Sequence, residues 1–115
     1  MTPIIGSYSF GQIEIDGERY RHDVIIYPER VRPEWWREQG HSLSVIDLEE
    51  IFGEQADVLI VGQGAYQRMQ VPPITRERIE QEGFELHVMG TAEAVDLYNS
   101  YRDKSRVIAA LHLSC

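Results

Sequence analysis

A second cysteine is missing: Cys115 is the only one in 115 residues, so no internal disulfide can form and the composition suits a reducing compartment. Long apolar runs are absent as well. None approaches the roughly 20 residues needed to cross a bilayer. The amino terminus shows neither a signal-peptide core nor an arginine-rich transit helix. The expectation is a soluble, untargeted, cytoplasmic chain with no membrane span.

Positive charge is scarce. Eleven basic side chains against nineteen acidic ones leave a net charge of -8, a balance that repels nucleic-acid backbones and anionic membrane surfaces. The one arginine-rich stretch, Arg30, Arg32 and Arg37, is interrupted by Glu29 and Glu34, so no nucleic-acid partner is expected. There is no G-x-x-x-x-G-K-[ST] loop to cradle a nucleotide phosphate and no G-x-S-x-G elbow to present a serine nucleophile. Repeats, linkers and low-complexity segments are lacking too. Hydrophobic residues at 43% and charged residues at 26% describe a globular chain, of a size usual for one domain.

What is present is organised around Val58-Leu59-Ile60-Val61, a branched apolar run that enters the glycine turn Gly62-Gln63-Gly64-Ala65-Tyr66. Continuous apolar residues without alternation predict a buried central strand, covered on both faces. Before it, Ile4 to Tyr8 and Gln12 to Ile15 have strand composition, and Asp16-Gly17 suits a tight hairpin turn. The return strand is expected over Arg19 to Tyr27. Alternation places Tyr20, His22, Val24 and Ile26 on one face and Arg21, Asp23, Ile25 and Tyr27 on the other.

Pro33 predicts a short helix through Trp35, Trp36 and Arg37, ended by Gly40; successive residues lie about 100° apart, so one tryptophan can face the core and the other the surface. Ser44 opens a further helix with Val45, Leu48, Ile51 and Phe52 inward, ended by Gly53. Gln67 to Val71 reads as extended. Thr75 is the expected cap of the next helix, with Ile74 and Ile79 as a hydrophobic staple, Gly83 as its left-handed exit and Phe84 folding back on Ile79. Phe84 to Met89 reads as a second strand of the Val58 type. Thr91 is expected to cap a last helix with Ala94, Leu97, Tyr98 and Tyr101 inward. In the closing strand, Arg106 to Leu113, the residues Val107, Ala109, Leu111 and Leu113 share one face and Ile108, Ala110 and His112 the other.

Few residues point to chemistry. Gly62-Gln63-Gly64 fails as a dinucleotide fingerprint, because Gln67 holds the third glycine position and no helix follows. If Val58 to Val61 and Phe84 to Met89 run parallel, Gly62, Gly64, Tyr66 and Arg68 meet Gly90 and Thr91 at one sheet edge, where backbone amides suit a small anion or a carbonyl. His22-Asp23 has no further metal ligand nearby, and His41, His87 and His112 lack metal-site spacing, which favours hydrogen-bonded structural roles. Cys115 sits beside a carboxylate that raises rather than lowers a thiol pKa. No catalytic set, metal or cofactor is expected. Trp35 and Trp36 are either packing residues or a contact for a partner.

Ser9-Phe10-Gly11, Tyr20 with His22-Asp23-Val24-Ile25, Trp35-Trp36-Arg37, Gly40-His41, Gly62 to Tyr66, Val71-Pro72-Pro73, Thr91 to Val95 and Ala110 to Cys115, in this order and spacing, resemble the Mth-type domain family. That family includes small uncharacterised bacterial and archaeal proteins, the adipogenesis-associated Mth-domain protein and a mitochondrial respiratory complex I assembly factor. The resemblance implies a three-layer α/β domain: a mixed central sheet flanked by helices, with a smaller β layer from the amino-terminal hairpin. It brings no established catalytic residues, and the family's best understood member acts by association. The expectation is therefore a non-enzymatic module that binds a protein partner or itself, with a small-molecule or anion pocket at the Gly62 to Tyr66 and Gly90-Thr91 edge as the alternative.

Overall fold

The computed structural model describes residues 2–115. Strands β1 (Ile5–Ser9), β2 (Gln12–Ile15) and β3 (Glu18–Tyr20) form an antiparallel meander. Asp16 and Gly17 both carry positive φ, 52° and 82°, as a two-residue turn between right-twisted strands requires. The expected single return strand is broken. After β3 the chain leaves the small sheet at residues 21–23 and starts β4 (Val24–Ile26) in a second one.

That second sheet has five strands in the order β5 (Val31–Arg32), β4, β8 (Val107–His112), β6 (Val58–Gln63) and β7 (Glu85–Met89). It is mixed: β6 runs parallel to both β7 and β8, whereas β4 is antiparallel to β8. The middle position belongs to β8, which is buried along its whole length, rather than to β6. β7 is an edge strand and only half buried, unlike the doubly covered strand its composition predicts. Apolar character marks a strand but not its rank in the sheet.

Alternation along β4 and β8 separates two cores. Val24, Ile26, Ala109 and Leu111 face the meander and helix α3 (Thr91–Tyr101), meeting Ile13, Ile15, Ala94 and Tyr98. Ile25, Tyr27, Ile108 and Ala110 face the other side, covered by α1 (Glu49–Phe52), α2 (Pro73–Gln81) and the segment from Trp35 to Leu43. The result is the three-layer α/β arrangement implied by the family resemblance.

Several local expectations give way to tertiary contacts. Residues 33–40 form no helix, yet Trp35 is 2% exposed and Trp36 72%. A 3-10 turn (Val45–Leu48) precedes α1, and the buried Asp47 carboxylate accepts from the amide and hydroxyl of Ser44 and the amide of Glu38. Residues 67–71 form no strand; a lone bridge joins Gln70 to Ser42. Helix α2 begins at Pro73, so Thr75 lies inside it and its hydroxyl bonds to the Leu43 carbonyl. Ile74 points outward, so no staple to Ile79 forms, whereas Gly83 does make the left-handed exit at φ 94°. Thr91 is the first helical residue of α3 rather than its cap, because its hydroxyl serves the sheet instead.

Candidate functional site

The register of β4 against β8 pairs Val24 with Leu111, which sets Asp23 and His112 directly opposite one another at the strand ends. Both side chains fall on the Ile25/Ala110 face. A polar pair thus terminates an otherwise apolar layer. Arg37 joins it from the irregular segment, which is held by two bonds: the Trp35 amide donates to the Asp23 carbonyl (2.8 Å), and the Trp35 indole to the Asp47 carbonyl (3.2 Å). Arg37 also lies over the Trp35 ring, 4.9 Å from its centroid.

The carboxylate of Asp23 is the hub. Its Oδ2 lies 2.6 Å from Arg37 Nη1 and 2.8 Å from His112 Nδ1, while Oδ1 accepts from the Leu113 amide at 2.8 Å. Burial pushes the Asp23 carboxyl up, but the bonds from His112, the Leu113 amide and Arg37 outweigh it and hold it below its ordinary value. Arg37 Nη2 donates to the Gly40 carbonyl at 3.1 Å. Two polar atoms remain unmet: Arg37 Nε and His112 Nε2 are buried and have no hydrogen-bond partner. Their side chains are only 5% and 8% exposed.

Both residues line a cleft of about 240 Å³, walled by Trp35 and Trp36 and completed by Gly11, Arg21, His22, Asp23, Gly40, Leu113 and Ser114. The turn between β1 and β2 closes one side, where the Gly11 amide and the Tyr8 hydroxyl both donate to the Leu113 carbonyl. Of the exposed aromatic residues, Trp36 lines the cleft, and Phe10 and Tyr66 form a separate pair. The Trp36 ring lies 5.4 Å from His22, and Phe10 lies 6.0 Å from Tyr66.

The edge singled out in the sequence is built differently. Gly62, Gly64, Gly90 and Thr91 do converge: a Cβ on Gly62 would come within 2.8 Å of Thr91 Oγ1, and the Gly64 amide donates to that same oxygen at 2.8 Å. The Thr91 hydroxyl then donates to the His112 carbonyl. Residues 114–115 lie over this edge. The Ala65 amide donates to the Ser114 carbonyl (2.6 Å) and the Arg68 amide to the main-chain oxygen of Cys115 (3.0 Å). These amides are engaged by the chain itself, and Tyr66 turns outward, 67% exposed, rather than walling a pocket. The open concavity lies beyond Ser114, over His112.

The arginine stretch is likewise resolved into pairs: Arg30 with Glu54, Arg32 with Glu50 and Arg37 with Asp23. His87 pairs with Glu85 on the edge strand, and the His41 ring stands 6.4 Å from that of His112. Among the described residues, no group of three or more histidine, cysteine, aspartate and glutamate side chains is placed to hold a metal ion, and no helix is long and apolar enough to cross a membrane.

The family model for a protein of unknown function (DUF498/DUF598) matches residues 5–112. The chain belongs to this family. Solved structures, one of them described as a Mth938-like domain, share its fold. The conserved hypothetical protein PH1505 from Pyrococcus horikoshii OT3 is 30% identical over 96% of this chain and 98% of its own, with a TM-score of 0.83. The structure described as MT938 is 22% identical over 99% of this chain and all of its own, at 0.79. A Bordetella pertussis protein described as a Mth938-like domain is 22% identical over 96% of this chain and 85% of its own, at 0.76. All but Arg21 of the eleven cleft-lining residues fall in the sequence blocks that carry the Mth-type resemblance. Blocks as far apart as Gly11 and Ser114 therefore meet at one place.

Asp23, Arg37 and His112 as a unit escape a reading of single motifs. The available signal was the alternation itself, which put Asp23 beside Ile25 and His112 beside Ala110 on matching faces. What was missing was the antiparallel pairing of those two strands.

Proposed function

We propose that the protein is a binding domain whose ligand group enters the cleft over Asp23, Arg37 and His112. The observation that carries this reading is the pair of buried, unpartnered atoms, Arg37 Nε and His112 Nε2. An unmet buried polar group costs about 1–3 kcal/mol, so a ligand that satisfies both recovers a sizeable free energy without displacing any bond already made. At about 240 Å³ the cleft is at the small end for ligand sites and suits a few-carbon molecule or a single side chain. The test is a titration of the 15N-labelled protein with small polar fragments, followed at the Arg37 Nε–H and the His112 ring. At least one fragment is expected to shift both signals and to lose its effect in His112→Phe. Shifts confined to other surfaces, or none, overturn the reading.

A second reading, association with another protein, is favoured by the exposed aromatic residues. Trp36 leaves most of an indole in water on a domain that buries its neighbour completely, and exposed tryptophans rank high among residues that dominate protein contacts. On this reading the module is assembly-factor-like, and a partner or a second copy covers Trp36, Phe10 and Tyr66. Quantitative capture of a defined partner, or self-association by sedimentation, should drop at least tenfold in Trp36→Ala and stay unchanged in Ile74→Ala, an equally exposed apolar control on α2. Equal behaviour of the two variants removes the basis for this second reading.

A further inference from the structure

We propose that the ligand group taken by the cleft is a monoanionic carboxylate, bound together with one proton on His112. This rests on the cleft being a ligand site, as argued above, and adds the chemical class and its proton linkage. The Asp23 carboxylate only accepts hydrogen bonds, so its 2.8 Å contact to His112 Nδ1 requires the ring proton to sit on Nδ1. Arg37 Nη2, 3.1 Å from the same Nδ1, is then a neighbouring donor, and its hydrogen goes to the Gly40 carbonyl. His112 Nε2 is left as the variable position. In the neutral ring it is a bare lone pair, and in the imidazolium it is a second unpartnered donor, Arg37 Nε being the permanent one.

Charge decides between these states. Asp23 and Arg37 cancel, so protonating His112 adds one uncompensated positive charge to a side chain that is 8% exposed. An isolated charge is costly there, and an arriving monoanion removes the cost. A dianion such as sulfate brings a second negative charge close to Asp23, where only the exposed Arg21 is left to offset it. The other ionisable side chains facing the imidazole are few: Arg21 and His22 line the mouth, His41 stands edge-on at 6.4 Å, and Asp23 is the only acidic side chain in the lining. From α3 the imidazole's strand receives only the neutral Thr91 hydroxyl, and from β1 the Tyr8 hydroxyl at Leu113. The two tryptophans offer apolar walls for the body of the acid.

The deciding experiment is calorimetric titration of the full chain with benzoate, benzamide and inorganic sulfate between pH 6 and 8, in two buffers of different ionisation enthalpy. Benzoate is expected to bind with proton uptake at pH 8 and to weaken steadily as pH rises across the range. Benzamide and sulfate are expected to bind at least tenfold more weakly than benzoate at pH 6. His112→Gln, whose amide nitrogen reproduces an Nε2 donor, should retain benzoate binding and lose the pH slope. A short peptide with one glutamate, run alongside, tells whether the carboxylate is better presented free or on a partner. Benzoate binding without proton uptake, or benzamide matching it at pH 6, overturns this inference while leaving the cleft as a ligand site. No response at the cleft to acid, amide or peptide overturns both. If His112→Gln does not fold, the two-buffer titration of the wild type decides alone.

Discussion

Replacing Asp23 by asparagine tests the physical account of the cleft most directly. The substitution keeps the shape and an oxygen for the Leu113 amide, but removes the charge that faces Arg37 at 2.6 Å and His112 at 2.8 Å. Breaking a buried pair by neutralising one member typically costs 3–5 kcal/mol. The Asp23 side chain is 16% exposed, and the retained oxygen offsets part of the loss, so the lower end, about 3 kcal/mol, is expected at pH 7. For a chain of this length that corresponds to a fall in Tm of roughly 12 °C. The acid limb gives an independent check. Because the folded Asp23 carboxyl lies below its unfolded value, its contribution is complete above the ordinary carboxylate range and is lost as pH falls through the folded value. The wild-type and Asp23→Asn stabilities should therefore begin to converge as pH falls below about 4. Urea unfolding followed by tryptophan fluorescence from pH 3 to 8 measures both. A difference under about 1 kcal/mol at pH 7, or one that persists unchanged at pH 3, refutes the argument that this charge organises the site.

Three further outcomes follow from the same geometry. Gly64→Ala is expected to lose about 3 kcal/mol in urea unfolding and to speed thiol labelling of Cys115, because the new Cβ would sit 2.5 Å from the Cys115 main chain at a φ of +99°. Thr91→Val should cost about 2–3 kcal/mol, since the Gly64 amide and the His112 carbonyl both lose the hydroxyl between them; Thr91→Ser, which keeps it, should cost about half as much. Trp35→Ala should cost about 3–5 kcal/mol in thermal or urea unfolding, whereas Trp36→Ala should stay within about 0.5 kcal/mol, as expected for one buried and one exposed indole.

Much of the architecture was legible from local patterns. Alternation assigned every inward residue of β4 and β8 to the correct core, the Asp16-Gly17 turn was readable from its tolerance of positive φ, and the Val58 run marked a strand covered on both faces. Helix starts were less legible. Thr75 and Thr91 both look like caps, but each hydroxyl bonds to a carbonyl far along the chain, Leu43 in one case and His112 in the other. A threonine before an apolar stripe does not distinguish a local cap from a buried tertiary bond. Nothing local shows, either, that residues 114–115 lie against Gly64.

The sequence by itself determined the class of fold, the two faces of the central strands, the absence of a nucleotide loop and the family. These follow from periodicity, turn chemistry and motif order, each of which acts over a few residues or is preserved in linear order. Only the tertiary structure decided that β8 holds the middle of the sheet, and that Asp23, Arg37 and His112 share one buried network. That network spans 89 residues between Asp23 and His112, and it exists because strand register places two lone polar residues face to face where an apolar layer ends. Register is a property of two strands together, so neither strand's sequence contains it alone.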